Sequence, residues 1–195
     1  MKKALILATV ATLVGTQAFA QAKNFEGFSL GANVEVTKST ADATGALTGS
    51  DSGNSTGLGL QAQYSFALGE SFVMGIGASL GTNNRNFTDA SGALGVNSFS
   101  KNNTSIDFMP GYALSNTMLV YGKLSSVNGA LQNDTAATSN SLSGLGYGIG
   151  LRSMLDKNTY FQVGYDSIKY DDIVASGVTT SPKTTNFSFG VGYKF

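Results

Sequence analysis

Gly144-Leu145-Gly146-Tyr147-Gly148-Ile149-Gly150-Leu151-Arg152 decides the fold class of this chain. Leu145, Tyr147, Ile149 and Leu151 occupy every second position, and glycines fill the positions between them. A period of two belongs to a strand whose two faces meet different surroundings, whereas a helix needs apolar spacings of three and four. The same alternation recurs on both sides of this stretch. Phe28, Leu30, Ala32, Val34 and Val36 share one face, opposite Ser29, Gly31, Asn33, Glu35 and Thr37. Further segments begin at Leu58, Phe72, Ile106, Val120, Phe161 and Phe187, which makes eight in all.

The connections alternate in length. Residues 67–71, 115–118 and 155–158 read as short turns rich in Gly, Ser, Asn and Asp. The stretches 38–56, 82–103, 126–142 and 168–184 read as long polar loops. Eight antiparallel strands joined in this way fit two closed barrels. A soluble barrel turns its apolar face inward around a ligand; a membrane barrel turns that face outward to lipid. The opposite face decides between them. Its Gly, Ser, Asn and Gln make a poor solvent surface but suit the crowded interior of eight strands, which is only just wide enough for side chains. The fold expected is an all-β, eight-stranded antiparallel up-and-down transmembrane β-barrel. The soluble periplasmic ligand-binding barrel remains the alternative.

Composition supports this choice. Charged residues are 12% of the 195, about half the usual share near 25%, and 25 glycines exceed the usual frequency of about 7%. The chain has no Cys, His or Trp. Disulfides, thiolate metal sites, Ser-His-Asp catalysis and the commonest zinc ligand are therefore excluded. The reading carries no cofactor, no metal and no enzymatic activity. Nor is there the clustered Lys and Arg of a nucleic-acid partner.

Met1-Lys2-Lys3, then the uncharged run from Ala4 to Gly15, then Ala18-Phe19-Ala20 form a basic, an apolar and an A-x-A region. That pattern is a cleavable secretory signal, too short for a membrane helix. The domain division expected is 1–20 signal peptide and 21–195 barrel. Removing Lys2 and Lys3 leaves 10 basic against 12 acidic residues, a net charge of −2.

The polar face carries Glu35, Asp107 and Asp166 against Lys123, Arg152 and Lys194. Three against three is what a low-dielectric lumen requires, since an unpaired buried charge is costly. Asp107 and Lys123 flank the 115–118 turn almost symmetrically, so a cross-strand pair is expected between them. Phe66, Phe72, Tyr112, Tyr160, Tyr193 and Phe195 lie near segment ends, where membrane barrels carry aromatic girdles.

Gly190-Val191-Gly192-Tyr193-Lys194-Phe195 resembles the C-terminal strand signal of Gram-negative outer-membrane proteins. Pro110-Gly111-Tyr112-Ala113-Leu114 and Leu119-Val120-Tyr121-Gly122-Lys123 resemble the central hairpin of the opacity-protein and OmpA/OmpX-like eight-stranded barrels. The resemblance implies a place in the outer membrane, with its lipid as partner. It also implies recognition of Tyr193 and Phe195 by the barrel assembly machinery. Members are adhesins, resistance or envelope-integrity factors, or have no assigned role; the function expected is a structural and surface-interaction barrel, for adhesion or envelope integrity, with a plugged lumen. A narrow small-solute pore is the alternative. Barrels of this size that act on lipid A use a His, which this chain lacks.

Three of the long polar stretches share a string: Thr44-Gly45-Ala46-Leu47, Ser91-Gly92-Ala93-Leu94 and Asn128-Gly129-Ala130-Leu131. Exposed apolar loop tips mark contact sites, which makes Leu47, Leu94 and Leu131 candidate contacts for an unidentified surface ligand. Turn chemistry alone also accounts for the glycines.

Overall fold

The computed structural model describes residues 21–87, 98–133, 136–175 and 177–195. Residues 1–20, read from sequence as a signal peptide, lie outside them, as does Leu94. A single 3-10 turn, Ala22–Phe25, precedes ten strands: β1 Gly27–Gly45, β2 Gly49–Leu68, β3 Phe72–Gly81, β4 Arg85–Asn86, β5 Ser98–Ala113, β6 Met118–Asn133, β7 Ala136–Met154, β8 Thr159–Tyr170, β9 Ile173–Ala175 and β10 Val178–Lys194. Eight are staves of one antiparallel sheet in the order β1-β2-β3-β5-β6-β7-β8-β10. β10 pairs back on β1, from Ser29 opposite Lys194 to Gly45 opposite Val178, which closes the barrel. Closure leaves no free edge, so the backbone polar groups of the staves pair with one another. β4 and β9 are short accessory pieces on β5 and β10.

Alternation places the side chains as the period of two requires. Outward-facing Ile106, Leu145 and Ile149 are 69%, 72% and 68% exposed, while Asp107 and Arg152 are 0% and 3% exposed. This inverts the distribution of a soluble core, and it identifies the apolar face as the outer wall. The soluble alternative, whose apolar face would line the interior, is therefore set aside. Phe66, Phe72, Tyr112, Tyr193 and Phe195 stand outward at the end where the short turns and both described termini gather. There the rings of Phe72 and Tyr112 lie 5.2 Å apart, and those of Tyr193 and Phe195 5.0 Å. Tyr160 departs from the expected girdle. It shares the parity of Gln162 and Asp166, points inward and is 1% exposed.

The long loops read from sequence are largely strand. β1 and β2 continue pairing out to Ala43 opposite Gly49, and only residues 46–48 connect them. β6 and β7 likewise pair to Asn133 opposite Ala136. A membrane span needs about 9–11 strand residues. β1 has 19 and β2 has 20, so the surplus rises beyond the apolar band as paired ribbons. Past Val36 and Leu58 both faces become mostly Thr, Ser, Asn, Gly and Ala with a few charges, so the hydrophobic alternation that reveals a strand disappears while the hydrogen-bond ladder continues.

Candidate functional site: the barrel interior

Inward side chains fill the interior in layers. At the short-turn end Phe25 and Ala22 of the 3-10 turn pack with Val73, Ala113, Leu119, Met154 and Tyr160. The Ala22 backbone N–H donates to Glu70 O at 2.9 Å, which seats that turn beneath the barrel.

Above this apolar layer lies an amide layer organised by Arg152. Its guanidinium stands 4.2 Å from the Tyr160 ring centroid and donates to Gln63 Oε1 at 2.8 Å and Gln162 Oε1 at 3.0 Å. Gln162 Nε2 then donates to Asn33 Oδ1 and Gln61 Oε1, both at 2.9 Å. The charge is thus compensated by amide dipoles and a ring face rather than by a carboxylate.

The next layer holds the carboxylates. Asp107 accepts from the hydroxyls of Ser79, Ser105 and Ser125. Lys123 Nζ stands 3.9 Å from Asp107 Oδ1 and 3.5 Å from Asp166 Oδ1, so one ammonium serves two carboxylates. In the β5–β6 register Asp107 faces Ser125, which makes Lys123 its diagonal neighbour. Glu35 joins the same layer, with Oε2 buried and unpartnered among protein atoms. Lys194 is elsewhere: its Nζ donates to Asn24 O at 2.9 Å at the short-turn rim. The position is short of the interior because β10 ends there.

The cation that occupies the interior in its place is Arg85, 6% exposed, which sequence reasoning left inside a polar loop. The chain after β3 folds inward across the far mouth. Arg85 Nη1 donates to the Tyr170 hydroxyl at 2.6 Å, and the Phe87 and Tyr170 rings meet edge-on at 5.8 Å. Phe87 and Tyr170 pack with Ala41, Val127, Leu142 and Ile168. One signal was available: Arg85 and Arg152 are the chain's two arginines, and Phe87 follows close behind Arg85 in an otherwise polar stretch. With Arg85 included, the buried charges of the described interior are four anions (Glu35, Asp51, Asp107, Asp166) and three cations (Lys123, Arg152, Arg85), Asp51 being one that strand parity allowed and the sequence reading placed in a polar loop.

Between the two apolar layers lies a polar cavity of about 50 Å³ lined by Glu35, Lys123, Asp166, Arg85 and neighbouring Ser, Asn and Gln side chains. A single water needs roughly 10–15 Å³ by this measure, so there is room for a few waters. Among the described residues no group of three or more carboxylates, Cys or His is arranged to hold a metal ion.

Of the apolar tip candidates, Leu47 sits in the β1–β2 connection and is 46% exposed. Leu131 lies within β6, half-buried against the Phe87–Tyr170 cluster, because pairing with β5 and β7 continues through it. Tyr193 and Phe195 face outward on the closing strand, and Phe195 N–H donates to Phe28 O at 2.8 Å.

A closed antiparallel barrel with an apolar outer wall and a polar, charged interior defines an integral membrane β-barrel. The chain belongs to the outer membrane protein beta-barrel domain family, whose model matches residues 6–195. Its fold is similar to that of Ail, the attachment invasion locus protein of Yersinia pestis, solved in complex with the heparin analogue sucrose octasulfate. That match has 18% identity and a TM-score of 0.51, and covers 87% of this chain and 99% of Ail. The outer membrane protein OprG from Pseudomonas aeruginosa is similar at 18% identity and a TM-score of 0.51, covering 87% of this chain and 96% of OprG. No curated protein sequence matches the chain.

Proposed function

We propose that this outer-membrane protein is a non-catalytic, non-conducting barrel that displays its long hairpins outside the cell, for adhesion or envelope integrity. The observation that carries the reading is the filling of the interior. Apolar layers lie across both ends, and the polar cavity between them holds about 50 Å³. A solute path would have to displace Phe25 at one end, the Arg152–Gln63–Gln162 layer above it and the Arg85–Phe87 segment at the other. In this reading residues 1–20 direct export, and Tyr193 and Phe195 are the strand-end signal read during assembly. The hairpin tips, Leu47 among them, are the surface available to a partner.

The chain has no cysteine, so single introduced thiols report topology cleanly. With Ala46→Cys, a membrane-impermeant maleimide is expected to label intact cells. With Asn116→Cys in a short turn, labelling is expected only after the outer membrane is permeabilised. The opposite pattern would overturn the orientation. Trimming the β1–β2 hairpin at matched expression is expected to lower adherence or envelope tolerance while leaving the barrel folded. Unchanged behaviour in both assays would remove the role assigned to the hairpins.

A further inference from the structure

Lys38, Lys169 and Lys183 are exposed and lie on β1, β8 and β10, three staves that are neighbours in the sheet. They come just past the end of the apolar band: Val36 is followed by Lys38 two positions on, and Phe187 and Tyr165 are separated from Lys183 and Lys169 by one outward residue each, Thr185 and Ser167. Lys183 is directly opposite Lys169 in the β10–β8 ladder. Lys38 is opposite Thr185, which makes it the diagonal neighbour of Lys183 at about 7–8 Å between backbones. At the first outward position past the apolar band the other staves and the start of the β3–β4 connection offer Thr56, Thr82, Thr104, Ser126 and Ser143, and at the next one β5 carries a lone Lys101, whose Nζ lies over its own neighbour Phe99 at 4.9 Å. Three lysines on adjoining staves therefore meet on one side of the barrel.

Like charges directly opposite on paired strands are destabilising. Among the described residues Lys38 and Lys169 form no ion pair, while Lys183 meets Asp42 at 3.6 Å with both side chains about half exposed. The acidic groups nearby lie farther from the apolar band. Asp42 is held by Ser50, and Asp172 accepts from Ser181, with Asp171 beside it. The lysines thus form the row nearest the lipid, and the carboxylates form the row above.

We infer that Lys38, Lys169 and Lys183 form a docking site for the phosphate groups of an anionic lipid of the outer leaflet, whose acyl chains lie along the adjoining apolar wall. The direction of the side chains selects a lipid over a soluble polyanion: they project sideways from the wall at the edge of the apolar band rather than from the hairpin tips. The inference rests on the proposed orientation, but its test in detergent depends neither on topology nor on conduction, so failure of one is distinguishable from failure of the other.

The full chain is refolded in detergent with bisphosphorylated lipid A, or with the same lipid stripped of both phosphates, and retained lipid is counted by native mass spectrometry. The wild type is expected to retain the phosphorylated form preferentially, and added salt is expected to weaken retention. Each lysine near an anionic surface supplies about a fivefold factor, so K38Q/K169Q/K183Q is expected to lower affinity on the order of a hundredfold. The matching triple arginine variant is expected to restore it. K157Q, in a turn at the opposite end, should bind as wild type does. Equal retention of the phosphate-free lipid, or unchanged retention by the triple glutamine variant, would overturn the site. Equally tight binding of inorganic phosphate alone, or of a heparin fragment in preference to lipid A, would overturn the lipid assignment.

Discussion

Arg85 Nη1 reaches the Tyr170 hydroxyl at 2.6 Å across the far mouth of the barrel, joining the short β4 segment to the wall at β8. This bond fixes the inward fold of the chain after β3 and sets Phe87 against the Tyr170 ring. A hydrogen bond to a charged group contributes about 1.5–3 kcal/mol. Tyr170→Phe keeps the ring and removes the acceptor, so a loss of that size is expected in urea unfolding of the refolded barrel. An unchanged midpoint would mean that the bond does not hold the segment.

Lys123 is the shared counter-charge of Asp107 and Asp166. Lys123→Met leaves both carboxylates without it and is expected to destabilise the barrel on the order of 3–5 kcal/mol, the cost of breaking a buried pair. Adding Asp166→Asn to that variant should recover part of the loss, because Asp107 keeps its three serine donors. If the urea midpoint of Lys123→Met stays where the wild type has it, the ammonium is not holding the layer.

Gly150 and Gly192 are among the glycines required by close approach. A Cβ at Gly150 would overlap the Tyr121 ring, and one at Gly192 would overlap the Tyr160 ring. Overpacking of this kind costs typically about 1–3 kcal/mol. Gly150→Val and Gly192→Val should each fall in that range, whereas Gly122→Ala, where the nearest atoms stand 3.8 Å away, should be close to neutral. Equal effects at all three positions would contradict the ring–glycine contacts.

The 155–158 turn has its own pH dependence. The backbone N–H groups of Asn158 and Thr159 donate to Asp156 Oδ1 at 2.8 and 2.7 Å, and these bonds hold its carboxyl below the usual carboxylate range. A depressed folded pKa gives stability that is present above the unfolded value and lost as pH falls through the folded one. Asp156→Ala should therefore unfold more easily than wild type at neutral pH, and the difference should vanish in strong acid. A pH-independent difference would assign the effect to something other than ionisation.

The staves were legible from residue types alone wherever one face meets an apolar medium and the other a packed interior. Leu145 to Arg152 and Phe187 to Phe195 show this alternation in full. It failed above the apolar band, where Thr37–Ala43 and Asp51–Ser55 keep their pairing but lose the contrast between faces. The inward charges Glu35, Asp107, Lys123, Arg152 and Asp166 followed from strand parity. Lys194 shares that parity but lies too near the strand end to enter, and parity says nothing of height along a stave. Arg85 escaped because its place is set by tertiary folding of a connection across the mouth, for which neither period nor turn chemistry gives a signal.

The central claim is that the interior does not conduct, and single-channel recording of the full chain in a planar lipid bilayer tests it directly. The expected record is a flat baseline for the wild type. Channel events should appear only when Arg85→Ala and Phe87→Ala together release the far mouth, Phe25→Ala opens the near one and Arg152→Ala opens the amide layer between them. A steady, reproducible conductance from the wild-type protein would contradict the account and make the barrel a narrow pore.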